Sequence, residues 1–232
     1  MKTNVYWSWD VPEKLAGIAV IIDVYAASSN IAAFLSRGVD KLYLSSDATI
    51  LELKKQYPSG IAIGESRTLP KDTFVSNNYP GNVSEVDVSG KTVLYMSNNG
   101  TRVIQEVLSK GARTVITAGF VNMDATVSWL IWQKVSHVTF ITAGEISVSD
   151  KKVLEDDVCA KIMVERLAGR KFDIIAKIKD IEIFMKAVYK GTKEDRRNID
   201  FTMTVNSFPV VPLCTRIREG LIEVTQATSP DV

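Results

Sequence analysis

Five polar loops in this 232-residue chain bring together residue types that could hold a phosphate and a hard cation. They are Asp23-Val24-Tyr25-Ala26-Ala27-Ser28-Ser29-Asn30, Gly64-Glu65-Ser66-Arg67, Ser97-Asn98-Asn99-Gly100-Thr101-Arg102, Ala118-Gly119-Phe120-Val121-Asn122 and Thr142-Ala143-Gly144-Glu145. Small residues let a ligand approach the backbone, and the amides that open a following helix favour an anion. Carboxylates beside such amides suit Mg2+, which takes a few carboxylates together with water and phosphate oxygens. Each feature also has a plain structural role. Asp23 could cap a loop, and Asn98-Asn99-Gly100 is a favoured turn. Glu155, Asp156 and Asp157 could offset the dipole of the helix they open.

Other chemistries lack their residues. There is no G-x-x-x-x-G-K-[ST] loop, no G-x-G-x-x-G fingerprint and no G-x-S-x-G elbow. His137, the single histidine, comes just before an apolar run, at the end opposite the polar loops, which disfavours His-based acid–base catalysis. Asp23-Val24-Tyr25 lacks the second acid two residues on that aspartyl-phosphate phosphatases use, so metal-ligand chemistry suits Asp23 better than nucleophilic attack. Cys159 and Cys214 stand far apart without CxxC or His spacing, and read as buried free thiols of a reducing compartment.

The loops need a scaffold that presents them together. Short apolar runs recur at Ile18–Ile22, Lys41–Leu44, Ile61–Ile63, Val93–Met96, Thr114–Ile116 and Val138–Ile141. Their continuous apolarity predicts strands covered on both faces. Helical patterns lie between and after them. Ile31, Phe34 and Leu35 follow possible caps at Ser29 and Asn30; Ile50, Leu51 and Leu53 precede Pro58; Val103, Ile104, Val107 and Leu108 share one face. Val127, Leu130 and Ile131 mark another helix, and Leu154 to Leu167 a further one closed by Gly169. This alternation predicts a three-layer α/β/α fold with a largely parallel, mixed central sheet, whose ligands sit outside the carboxyl ends of the strands. Asp173–Tyr189 reads as helical and Lys190–Asn198 as a charged loop. Phe201–Val205 alternates, and the prolines in Ser207–Pro212 place an antiparallel or irregular C-terminal addition at the edge of the sheet. The final TQATSPDV reads as a frayed tail. The chain is read as one domain, with the part from about residue 170 as an extension or smaller subdomain.

Composition narrows the partners. Hydrophobic residues make up 46% and charged residues 24%, the balance of a packed globule. Lys and Arg (28) nearly match Asp and Glu (27), so no charge argument supports nucleic acid or an anionic membrane as a partner. The N-terminal stretch has no continuous apolar core of the kind a signal peptide needs, and no apolar run approaches membrane-spanning length. The expected address is the cytoplasm. Four Trp and an apolar-rich chain are compatible with a homodimer.

The order of these motifs resembles the 2-phosphosulfolactate phosphatase (ComB) family from about Ile18 to about Leu167. A D-V-x-R-A-[ST]-[ST] loop after a strand is matched by Asp23 to Ser29, a G-E-R turn by Gly64-Glu65-Ser66, and a G-N-S-P-like segment loosely by Gly81-Asn82-Val83-Ser84. The T-x-N-G-T piece corresponds to Ser97-Asn98-Asn99-Gly100-Thr101, and an N-A-like turn to Asn122-Met123-Asp124-Ala125. An A-G strand end and an E-D-x-x-x-A helix start are Ala143-Gly144 and Glu155 to Ala160. The sequence departs from the family where Ala26 and Ser66 stand in place of arginines.

The resemblance implies an α/β/α fold and Mg2+-dependent hydrolysis of a small phosphorylated, sulfonated acid, as in coenzyme M synthesis. Under that reading Asp23, Glu65 and Asn99 are the catalytic candidates. Asp23 with Glu155 and Asp156 are the candidate Mg2+ ligands. Ser28, Ser29, Gly100 and Thr101 are the candidate phosphate or substrate contacts, with Arg67 and Arg102 as anion clamps. The missing arginines keep two alternatives open: a different small phosphorylated acid as substrate, or a non-catalytic protein that binds a small anionic metabolite.

Overall fold

All six apolar runs become strands in the computed structural model, which describes residues 1–144, 154–170, 179–181, 185 and 192–228. In chain order the elements are β1 (Lys2–Trp7), β2 (Ile18–Ile22), α1 (Ala27–Ser36), β3 (Lys41–Ser45), α2 (Asp47–Gln56), β4 (Ile61–Gly64), α3 (Pro80–Val83), β5 (Thr92–Met96) and α4 (Gly100–Ser109). They continue with β6 (Thr114–Ala118), α5 (Met123–Trp132), β7 (His137–Thr142), α6 (Leu154–Leu167), α7 (Lys193–Met203), β8 (Pro212–Arg218) and β9 (Leu221–Gln226). All nine strands form one sheet in the order β1-β7-β2-β6-β8-β9-β3-β5-β4.

β2 shows how the layers form. All five of its residues are buried, and alternate side chains serve opposite faces. Ile18, Val20 and Ile22 pack with α5, α6 and α7 through Trp129, Leu130, Ile162, Met163 and Ile199. Ala19 and Ile21 enter a second cluster with Phe34 of α1, Ile104 of α4 and Tyr95 of β5. Within it the Phe34 and Tyr95 rings meet edge to face at 5.4 Å. On the β3–β5 half, α2 covers the opposite face, where Ile50 and Leu53 pack on Leu94 and Met96. The result is helix, sheet, helix.

The C-terminal strands correct the expectation of an added edge. β8 and β9 form a hairpin in the middle of the sheet, with β8 antiparallel to β6 and β9 antiparallel to β3. Pro212 is tolerated there because it is the first residue of β8, a position that demands no internal ladder donor. The edge at the start of the sheet is β1 instead, a parallel partner of β7. Thr225 and Gln226, read as part of a frayed tail, belong to β9. The expected charged loop and alternating strand around residues 193–203 are helix α7. Its start is fixed by a capping box in which the Asp195 amide donates to Thr192 Oγ1 at 3.0 Å. Most of Asp173–Tyr189 lies outside the described residues.

The inserted hairpin reverses the sheet. β1, β7, β2 and β6 run parallel to one another, and β3, β5 and β4 form a second parallel block of opposite sense. The two blocks nonetheless come together at one point, where Gly100 after β5 lies against Asp23 after β2. Both blocks share the cluster around α1 and α4. The carboxyl ends of β2 and β5 meet at that point. Among the described residues no helix is long and apolar enough to cross a membrane, and Cys159 and Cys214 are free and buried, as the sequence suggested.

Candidate active site

Asp23 follows the last residue of β2 and is only 6% exposed. Its loop closes onto the first turn of α1. The Asp23 amide donates to Ser28 Oγ at 3.0 Å, the Ser28 amide to the Asp23 carbonyl at 2.9 Å, and Ser29 Oγ to the Val24 carbonyl at 2.8 Å. The carboxylate is thus held over the first turn of α1, where the Ala27 amide donates to Oδ1 at 3.3 Å. Burial pushes the Asp23 carboxyl up to about 6; the Ala27 and Gly100 amides hold it down in part, and the Glu65 charge raises it.

The amide of Gly100 belongs to the first residue of α4, so two helix starts converge on one carboxylate. That approach requires glycine. A Cβ at Gly100 would lie 2.5 Å from Asp23 Oδ2 and 2.5 Å from the Ala27 Cβ. The α4 start is fixed by Ser97 and Thr101: Thr101 N–H donates to Ser97 Oγ at 3.1 Å and Ser97 N–H to Thr101 Oγ1 at 3.2 Å. On the neighbouring strand end, Gly64 has φ +143°, and a Cβ there would meet the Met96 carbonyl oxygen at 2.0 Å. Glu65, next in sequence, accepts a long bond from the Asn98 amide at 3.4 Å.

Asp156, near the start of α6, is 2% exposed and ties two strand ends together. Its Oδ1 accepts from the Val24 amide at 2.8 Å and its Oδ2 from the Gly144 amide at 3.3 Å. Burial first, then the Asp23 and Glu155 charges, push its carboxyl well above the ordinary carboxylate range. Both oxygens are committed to backbone, so Asp156 positions the Asp23 loop and the β7 end. Glu155 is buried beside it, at 3% exposure.

The site residues read from the sequence therefore divide. Asp23, Glu65, Gly100, Asp156 and Glu155 are coupled by contact or by charge. Asn99 caps α4 next to them, with its carbonyl accepting from the Val103 amide. The hydroxyls of Ser28, Ser29 and Thr101 are turned inward to hold backbone. Arg67 is exposed in the turn after β4, and Arg102 pairs with Glu106 one turn along α4 at 3.0 Å. Ser66, in place of a family arginine, donates to Asp47 Oδ1 at 2.6 Å and accepts from the Leu69 amide at 2.9 Å, which makes it a turn former. Glu145 lies outside the described residues.

Three residues to which the sequence assigned no role in the site line the same region. Tyr25 lies two residues past Asp23; burial raises its hydroxyl to about 12, the Asn198 side chain lowers it, and Glu155 is among the charges that raise it. Asn198 of α7 is fully buried and accepts from the Gly81 amide at 2.8 Å through Oδ1, while among the described residues its Nδ2 has no acceptor in hydrogen-bond geometry. Asn30 donates to the Tyr95 hydroxyl at 3.1 Å, and among the described residues its own Oδ1 has no hydrogen-bond partner. A buried polar residue in a helix whose partner is distant in sequence gives no local signal.

Asp23, Glu155 and Asp156 do not form a metal cage. Among the described residues no group of three or more His, Cys, Asp or Glu side chains is placed to hold a metal ion. The donor chemistry still suits Mg2+ in its sparse mode, with one or two carboxylates and the remaining shell from water and phosphate oxygens. The Glu65 charge raises the Asp23 carboxyl, so these two carboxylates repel one another, and a bound cation would relieve that repulsion.

The α/β/α scaffold gathers carboxylates and helix-opening amides at two strand ends, and such amides favour an anion. The chain belongs to the 2-phosphosulpholactate phosphatase family, a family of phosphoric monoester hydrolases, whose model matches residues 9–205. Its relatives span most of its length. It is 26% identical over 198 residues to the probable 2-phosphosulfolactate phosphatase of Thermoplasma acidophilum, covering 85% of this chain and 86% of that one. The proteins of the same name from Thermotoga petrophila and Cyanothece sp. are 28% and 30% identical, each matched over 84% of this chain and over 87% and 81% of their own lengths.

Proposed function

We propose that this protein is a Mg2+-dependent phosphatase that hydrolyses a small phosphorylated acid, with 2-phosphosulfolactate as its first candidate substrate. The observation that carries this reading is Asp23, a buried carboxylate facing the amides of two helix starts, in a chain that belongs to a phosphatase family. Asp23 and Glu65 would hold the ion, which supplies positive charge to the phosphate and lowers the pKa of a bound water. The chain's own residues do the rest. The Asp156 clamp and the Ser28 and Ser29 hydroxyls fix the Asp23 loop, Gly100 allows α4 to approach it, and Asn99 presents an amide at the α4 start. The closed loop keeps the carboxylate in place before substrate arrives, so no reorganisation is required at the moment of reaction.

A second reading has its own observation. Ala26 and Ser66 stand where the family carries arginines, and Ser66 is engaged with Asp47. That favours a substrate with one anionic group fewer, or a protein that binds such a molecule without hydrolysing it. Phosphate release from a panel of phosphorylated 2-hydroxy acids, with and without Mg2+, separates the readings. Release from the sulfonated member supports the first, and release from phospholactate alone supports the altered substrate. No release from any member would leave only the binding protein.

A further inference from the structure

At the amino ends of β2 and β6, opposite the Asp23 loop, the sheet opens into a cleft of about 740 Å3. The opening has a cause in the strand register. β8 pairs with β6 only through Cys214 with Val115 and Leu213 with Ile116, then leaves it to follow β9. Below the last paired residues the two strands diverge, and Arg113 and Arg216 face the gap from its two sides. Its floor is apolar: Ile18, Leu213, Cys214 and Trp129, whose indole N–H donates to the Thr228 carbonyl at 3.1 Å. The two arginines are exposed, and among the described residues neither side chain makes an ion pair or a hydrogen bond. Their neighbours in the adjoining groove behave differently. Arg102 is paired with Glu106, and Arg218 with Glu52 at 2.5 Å.

We propose that this cleft is a second ligand site, for a small organic anion with an apolar body whose oxyanion group is held by Arg113 and Arg216. The volume falls within the roughly 300–1,000 Å3 of small-molecule pockets, and an apolar floor with a few convergent polar groups is their usual lining. Guanidinium groups match carboxylate, sulfonate and phosphate oxygens through paired N–H donors. The site is separate from the Asp23 centre and does not depend on the phosphatase reading.

The test uses the whole chain and 8-anilinonaphthalene-1-sulfonate, an aromatic anion whose fluorescence rises in an apolar site. The proposal predicts saturable binding at one site, displaced by decanoate if carboxylates are accepted and by phenyl phosphate if phosphates are. The Arg113→Gln/Arg216→Gln double variant should weaken binding at least tenfold. Ala112→Trp, which fills the cleft from its half-buried wall, should abolish it, with circular dichroism confirming that both variants fold. Asp23→Asn should bind as the parent does. No saturable binding, equal affinity in the cleft variants, or loss of binding in Asp23→Asn would each overturn the proposal.

Discussion

Replacing Asp23 with asparagine should make the metal-free protein more stable while abolishing its activity. Burial and the Glu65 charge raise the folded-state carboxyl to about 6 from its ordinary 3.8. A raised carboxyl binds its proton more tightly folded than unfolded. The stability it contributes is complete below about pH 3.8 and is lost as pH rises through about 6. The loss amounts to about 3 kcal/mol, of which roughly half is already gone at pH 5 and the remainder by about pH 7. Asparagine carries no charge and avoids this cost. Its amide group would, however, face one of the backbone amides that now point at the carboxylate, a loss of about 1–2 kcal/mol. The net expectation is a gain of about 1–2 kcal/mol at pH 8. Because the Asp23 charge is one cause of the raised Asp156 carboxyl, its removal acts in the same direction there. Urea unfolding in EDTA at pH 5 and pH 8 measures the difference. Between those values the parent should lose about 1–2 kcal/mol more than Asp23→Asn. Identical pH dependence in the two proteins would refute the reasoning, because Asp23 would then not be paying a burial cost.

Four further outcomes follow from the geometry. Gly100→Ala should lower kcat/KM more than tenfold and stability by about 1–3 kcal/mol, because the new Cβ has only the Asp23 carboxylate and Ala27 to displace; phosphate release and a thermal melt read both. Asp156→Ala should cost about 2–4 kcal/mol in urea unfolding by leaving the Val24 and Gly144 amides buried and unpaired, and Asp156→Asn clearly less, since its oxygen still serves one of them. Mg2+ should raise the melting temperature of the parent above pH 7 and leave that of Asp23→Asn unchanged; equal shifts would show that the ion binds elsewhere. Val224→Asp buries a charge in β9 and should remove hydrogen-exchange protection from β3 and β6 together, whereas an edge hairpin would leave both protected.

The sequence spoke most clearly where structure is local. Continuous apolar runs such as Ile18–Ile22 become strands because both faces of the sheet are covered, and buried polar residues such as Ser45, Thr117 and Thr142 carry three of the strands past their apolar runs. The position of the C-terminal hairpin was not legible. β8 and β9 join strands that are about a hundred residues and more away in sequence, and nothing in the residues from Pro212 to Gln226 says which neighbours they will have. The start of α7 was legible in principle from Thr192 and Asp195 as a capping box, but its many charges resemble a solvated loop. At the site, Asp23 and Gly100 stand out by type and spacing. The inward turn of Ser28, Ser29 and Thr101 does not, because a hydroxyl beside a helix start serves a phosphate or the loop's own backbone with the same chemistry. Asn198 and Tyr25 depend on α7 reaching the Asp23 loop, a contact that no local pattern encodes.

The central claim is that Asp23 anchors a Mg2+-dependent phosphatase centre. The most direct measurement is phosphate release from 2-phosphosulfolactate by the parent and by Asp23→Asn, side by side, with Mg2+ and with EDTA. Release is expected from the parent with Mg2+ only, and none from the folded variant under either condition. Release by Asp23→Asn at the parent's rate, or release by the parent that EDTA leaves untouched, would contradict the claim.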